Sequence, residues 1–248
     1  MLGQEIEADA AYTRAQLDVT DGAAMREAIS PDDVVINCAA WTDVDGAEEH
    51  EDTALRVNAD GARNVAEAAG AVVYVSTDYV FDGTKDGPYE PSDPVNPLSA
   101  YGRTKLAGER ATAEANPRHH IVRTSWLFGP GGGNFVETIL RLAGERDSLR
   151  VVSDQVGKPT FTGHLAPALL ELAASDDYGI HHRAGGGQCS WFEFAREIVD
   201  RAGADCRVEP CTTEEFPRPA PRPANSVLAG GALPSWQEGL EAYLGVRV

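Results

Sequence analysis

The sequence predicts an α/β chain built as a doubly wound parallel sheet. Three observations carry that expectation: short apolar runs rich in β-branched residues, longer amphipathic stretches alternating with them, and turn-forming residues at the junctions. Val34-Val35-Ile36-Asn37-Cys38 reads as a buried strand, introduced by the turn-like Ser30-Pro31-Asp32-Asp33. A helix over 48–69 follows, with Leu55, Ala59, Ala62, Val65 and Ala69 on one face at spacings of three and four. Ala71 to Val75 is a second strand, 82–100 a Gly/Asp/Pro-rich loop, and another helix begins near Tyr101. His120-Ile121-Val122-Arg123 opens a third strand, a helix starts near Asn134, and Leu149 to Val152 supplies a fourth strand. Strands joined through helices need right-handed crossovers, which cover both faces of the sheet.

The remainder is less regular. The pattern gives a helix over 163–175, a short strand over 178–182, a helix over 191–202 and a short amphipathic helix from Leu240 to Leu244. Phe216 to Pro223 carries proline at every second position, which excludes helix and central strand. It reads either as a rigid extended connector or as a loop facing a substrate.

Composition narrows the function. The chain has 248 residues, 42% of them hydrophobic, enough for an ordinary core. Its 21 Lys+Arg against 39 Asp+Glu give a net charge of −18, which argues against nucleic acid as a partner, because phosphate neutralisation needs cations. No apolar run approaches the roughly 20 residues of a membrane span, and no basic-then-apolar leader opens the chain. Cys38, Cys189, Cys206 and Cys211 lack metal-binding spacing, so no metal is expected. A cytoplasmic, reducing setting is the expectation.

The chemistry centres on Tyr101-Gly-Arg-Thr-Lys105. Residues four apart on a helix share a face, and an ammonium beside a phenol lowers the phenol's pKa towards a value useful for proton transfer. The helix follows a strand ending in Ser76-Thr77-Asp78, and doubly wound sheets bind ligands beyond such strand ends. Hydroxyl, tyrosine and lysine in this order resemble the catalytic set of the short-chain dehydrogenases/reductases. His119-His120 and His181-His182 read as residues on opposite strand faces, and Glu48 to Asp52 reads as a solvated helix start.

Longer strings are more specific. Ser76-Thr-Asp-Tyr-Val-Phe-Asp-Gly83, Pro97-Leu-Ser-Ala-Tyr101-Gly-Arg-Thr-Lys105-Leu-Ala-Gly-Glu109 and Arg123-Thr-Ser-Trp126 resemble the dTDP-4-dehydrorhamnose reductases. So do Asn37-Cys-Ala-Ala-Trp-Thr-Asp-Val-Asp45, Asn134-Phe135, Asp154-Gln-Val-Gly-Lys-Pro-Thr160 and the Arg-Pro-Ala-Pro-Arg-Pro stretch before Ser226. The resemblance covers residues 16–244. It implies a Rossmann-like dinucleotide-binding domain over 1–150 and a mainly substrate-binding region over 151–248. It also implies NADPH or NADH as cofactor and a dTDP-4-keto-6-deoxysugar as substrate, most simply dTDP-4-dehydrorhamnose reduced to dTDP-L-rhamnose.

Position by position, the resemblance makes Tyr101 the proton donor and Lys105 the residue that tunes it and binds the nicotinamide ribose. Thr77, with Asp78 beside it, would hold the sugar, with Ser76 the less favoured hydroxyl, and Trp126 would pack against it. Gly3, Asp18, Val19, Ala39, Ala40 and Thr42 match cofactor-binding positions, and Asn58 a supporting one.

One departure qualifies this. Gly3 matches the third glycine of a GxxGxxG turn, but the preceding strand and two glycines have no counterpart, and the interval to Asp18 is too short for a full helix and strand. An unfinished sheet edge, and with it a homodimer, is the expected consequence. The alternative reading is a non-catalytic sugar-nucleotide binder on the same scaffold.

Overall fold

The structure is a computed structural model in which residues 1–245 are described. Its centre is a sheet of four parallel strands, Val34–Asn37, Ala71–Thr77, His119–Thr124 and Gly179–His182, adjacent in that order. The doubly wound α/β architecture expected from the sequence is therefore present. The Ala71–Thr77 strand is buried along almost its whole length, as a strand covered on both faces must be. Its alternation divides the core: Val72 packs with Met25 and Val65 on one side, and Val73 with Val122, Leu165 and Leu169 on the other.

The fourth strand of this sheet differs from expectation. Ser148–Val152 pairs with Arg207–Cys211 in a separate two-stranded parallel sheet, Leu149 opposite Val208. Its burial alternates, Leu149 and Val151 inside and Ser148 and Arg150 outside, so it suits a one-sided layer rather than a sheet covered on both faces. Gly179–His182 is the fourth strand of the central sheet instead, at the edge opposite Val34–Asn37, and the Thr162–Ala173 helix packs on the same sheet.

The helix after the first strand runs Glu51–Ala68 but contains a π turn at Arg56–Asp60. The wider turn rotates the residues before it relative to those after it. Ala54, Ala59, Ala62 and Val65 face the core, whereas Leu55, expected there, is 39% exposed.

The Val34–Asn37 strand forms one edge of the sheet, with Val34 47% exposed. Between the short Leu2–Glu5 helix and the Gly22–Ala28 helix, the chain forms no helix or strand. The Phe216–Pro223 stretch is a connector fastened to the loop after that edge. Asp45 accepts hydrogen bonds from Arg218, from both Nη groups of Arg222 at 2.9 and 3.0 Å, and from the Ala220 amide at 3.1 Å. Among the described residues, no helix is long and apolar enough to cross a membrane.

Candidate active site

A cleft of about 500 Å³ opens beyond the carboxyl ends of the central strands. Thr77, Asp78, Tyr101, Lys105 and Trp126 line it, together with Ala40 and Thr42. Two glycines let these residues converge. A Cβ at Gly102 would lie 2.3 Å from the Tyr79 carbonyl oxygen, and one at Gly108 would lie 2.1 Å from the Asn58 carbonyl oxygen. Only glycine lets the Ala100–Ala115 helix approach this closely. Its start is fixed by Ser99, which accepts from Gly102 N at 3.1 Å, and by Glu48, which accepts from Ala100 N at 2.8 Å. Glu51 grips Arg103 of the same helix at 2.7 and 2.8 Å. The acidic stretch expected to be a solvated helix start is a docking point, because another helix begins beside it.

Thr77 ends its strand with extended backbone. Its hydroxyl accepts from Tyr79 N at 3.2 Å and donates to Asp78 Oδ1 at 3.1 Å. Burial pushes the Tyr101 phenol up to about 12, with the Thr77 hydroxyl opposing and the Asp78 charge adding to the rise. Ser76 is engaged elsewhere, donating to Glu109 Oε1 at 2.6 Å.

Lys105 is buried and donates from Nζ to the Val75 carbonyl at 2.7 Å, with the ammonium 4.0 Å from the Tyr74 ring centre. Burial lowers it to about 7 against the pull of Glu109 and Cys38. The spacing argument expected Lys105 to lower Tyr101. In this structure the ammonium is turned to the Val75 carbonyl, and Tyr101 answers to burial, Thr77 and Asp78 instead.

Asp78 is 2% exposed. Burial raises its carboxyl to about 7, with the Ser226 and Thr77 hydroxyls pulling it back. Trp126 is the non-glycine residue with positive φ, 47°, among the described residues. Its ring stacks on Trp191 with centres 3.5 Å apart and planes 6° from parallel. Gly157 makes room for the indole, since a Cβ there would come within 2.4 Å of it.

The remaining expected positions divide. The Ala39–Thr42 turn is held by Asn37, which accepts from Ala39 N at 3.0 Å, and by Asn58, which accepts from Trp41 N at 2.8 Å and donates to Thr104 at 2.9 Å. Ala40 and Thr42 reach the cleft wall; Ala39 is not among the lining residues. Gly3 backs onto Cys38, while Met1 and Leu2 line the cleft. Asp18 and Val19 lie outside it. Asp18 accepts from Thr20, and Val19 packs on Gly61 and accepts from Asn64 at 2.9 Å. The stretch leading to them threads without helix or strand, so its course was not set by any local pattern.

Sequence reasoning missed the buried pair of Glu109 with Arg123. Glu109 falls four residues after Lys105 and eight after Tyr101, on the same buried helix face, and that spacing was the available signal.

The cleft suits a polar ligand. Asp78 Oδ2, Thr124 Oγ1 and Trp126 Nε1 are buried and make no hydrogen bond among the described residues, a condition that ligand groups relieve. Tyr101, Lys105, Ala40 and Thr42 would form the wall against a bound dinucleotide.

The comparisons agree with this geometry. Residues 2–245 match the family described as the RmlD substrate binding domain. A dTDP-4-dehydrorhamnose reductase of Mycolicibacterium smegmatis is 45% identical over 247 residues, covering 93% of this chain and 76% of the relative. A crystal structure of a dTDP-4-dehydrorhamnose reductase from Clostridium acetobutylicum superposes with a TM-score of 0.95 at 43% identity, covering 99% of this chain and 95% of that one. Another from Bacillus anthracis, in complex with NADP, gives 0.91 at 39% identity, covering 96% and 89%. The hydroxyl, phenol and ammonium gathered at the strand ends, and the match along nearly the whole chain, place this protein in the dTDP-4-dehydrorhamnose reductase family.

Proposed function

We propose that the chain is an NAD(P)H-dependent oxidoreductase that reduces the 4-keto group of a dTDP-linked 6-deoxysugar, with dTDP-4-dehydrorhamnose as substrate and dTDP-L-rhamnose as product. The observation that carries this reading is the gathering of Thr77, Tyr101 and Lys105 on one cleft lining at the strand ends, Lys105 one helical turn from Tyr101.

NAD(P)H supplies the hydride to C4 when bound. Tyr101 then gives its phenolic proton to the C4 oxygen. A phenol held near 12 is neutral at pH 7, so the proton is present, and it passes readily to an alkoxide of far greater basicity. Lys105, on the same wall with its ammonium on the Val75 carbonyl, binds the nicotinamide ribose. Thr77 orients the ketone, Asp78 binds a sugar hydroxyl, and Trp126 covers the sugar ring. Ala40 and Thr42 admit the dinucleotide backbone, and Ser76 is left with its structural bond to Glu109.

Calorimetric titration of NADPH, then NADH, tests the cofactor, and dTDP-4-dehydrorhamnose-dependent loss of nicotinamide absorbance tests the reaction. Saturable binding followed by turnover supports the reductase. A folded chain that binds sugar nucleotide without binding either dinucleotide supports the non-catalytic reading, which the position of Asp18 and Val19 outside the cleft favours. The four cysteines are free thiols, which suits a cytoplasmic setting. The exposed Val34–Asn37 edge offers a homodimer contact, readable by light scattering.

A further inference from the structure

Trp126 is held in a slot built by three segments far apart in sequence. Its backbone takes φ 47°, which a residue with a bulky side chain adopts only where its surroundings impose it. Here they do. The Ser125 hydroxyl donates to the Lys158 carbonyl at 2.6 Å, and Thr160 N donates to the Trp126 carbonyl at 3.2 Å. The indole lies on the Trp191 ring, centres 3.5 Å apart and planes 6° from parallel. Gly157 closes on the same indole, since a Cβ there would lie 2.4 Å from Cε2 and 2.7 Å from Nε1. Gly157 and Trp191 reach the ring together because Gly157 pairs with Cys189, and Val156 with Ser190, the cap of the Trp191–Ala202 helix. At that cap Ser190 N donates to Glu193 Oε2 at 2.7 Å and Glu193 N to Ser190 Oγ at 3.2 Å, which fixes Trp191 at the first helical position. Phe135 packs against Trp191 with ring centres 4.5 Å apart.

Trp126 lines the cleft, whereas Trp191 is not among the lining residues. With one face on Trp191 and Gly157 against the ring, the indole has its edge left for a ligand. That edge carries Nε1, which is buried and makes no hydrogen bond among the described residues. Such a donor is costly until an acceptor arrives. We propose that Trp191 is a positioning residue of the site, which holds the Trp126 indole edge-on so that Nε1 donates to an oxygen of the substrate's sugar. The inference rests on that part of the reductase reading which sets the sugar against Trp126. Trp191 acts through Trp126 and touches neither substrate nor cofactor. The task needs a flat ring: a stacked aromatic fixes the plane of its neighbour, while an aliphatic side chain fills space without setting a plane.

Ligands with and without the sugar separate this role from a merely structural one. In Trp191→Leu, the calorimetric Kd for dTDP-L-rhamnose and the KM for dTDP-4-dehydrorhamnose should each rise about 3- to 10-fold, the worth of one hydrogen bond. The Kd values for dTDP and for NADPH should stay within about twofold of wild type, and kcat within about threefold. Trp191→Phe restores a flat ring and should bring the affinity for dTDP-L-rhamnose back to within about twofold of wild type. Trp126→Phe keeps a ring on Trp191 but has no Nε1, and should show the same selective loss as Trp191→Leu. Trp191→Leu with unchanged affinity for the sugar nucleotide overturns the inference. So does a loss shared equally by dTDP and NADPH, or a Trp191→Phe as weak as Trp191→Leu. Unchanged affinity in Trp126→Phe overturns it too, a result that stands even if Trp191→Leu does not fold. A wild-type chain that binds dTDP-L-rhamnose without turnover overturns the reductase reading and leaves the affinities to decide the role of Trp191. One that binds dTDP-L-rhamnose no better than dTDP overturns this inference alone, and one that binds neither overturns both.

Discussion

Arg123 holds Glu109 with two nearly equal hydrogen bonds, Nε to Oε1 at 2.9 Å and Nη2 to Oε2 at 2.8 Å, inside the protein. The side chains are 3% and 4% exposed. The pair joins the third central strand to the helix that carries Tyr101 and Lys105, and Ser76 of the second strand donates into it.

Breaking it should therefore cost far more than breaking a surface pair of the same chemistry. Glu109→Ala leaves a buried guanidinium unpaired and should destabilise the chain by about 3–5 kcal/mol. Glu51→Ala, which frees the half-exposed Arg103, should cost at most about 1 kcal/mol. Urea midpoints of the two variants, compared at equal slope, check the difference.

Tyr101→Phe removes one oxygen and leaves the ring burial in place. Turnover should fall by about 10²- to 10⁴-fold, while the NADPH affinity measured by calorimetry stays within about threefold of wild type, less than 1 kcal/mol. Turnover close to wild type would remove Tyr101 as the proton donor.

His182 makes stability depend on mild acid. Burial, then the nearby Arg123 charge, lowers its pKa from 6.5 to about 4. The folded pKa lies below the unfolded one, so the contribution is full above about pH 6.5 and is lost as pH falls towards 4. Unfolding free energy measured across that window should decline with a slope that His182→Gln removes. An identical slope in the variant would assign the decline to other groups.

Gly157→Ala sets a methyl against the Trp126 indole. Overpacking of this kind costs about 1–3 kcal/mol, and here the displaced ring is the one proposed to cover the sugar. KM for the sugar nucleotide should rise while kcat changes less, and steady-state kinetics at saturating NADPH separate the two.

Much of the architecture was legible because its signals are local. The runs Val34–Asn37, Ala71–Thr77 and His119–Thr124 are apolar enough to announce buried strands. The four-residue step from Tyr101 to Lys105 announces a shared helix face. Leu149–Val152 was misplaced because an apolar run does not reveal which sheet it joins; the alternation with Arg150 was the clue. The direction of the Lys105 ammonium, the pairing of Glu51 with Arg103 and the course of the chain past Asp18 depend on partners distant in sequence, which no local period encodes.

The π turn at Arg56–Asp60 has a consequence for how this chain tolerates changes in length. It accommodates one residue more than an α-helical path between Leu55 and Gly61 would hold. A deletion within it can be absorbed by tightening to α-helix, preserving the backbone on both sides. The same tightening would turn Asn58 away from Trp41 and Thr104, whose bonds it supplies from inside that turn. Deletion scanning across the helix should thus meet a position where the fold survives the loss of a residue and the shape of the Ala39–Thr42 loop does not.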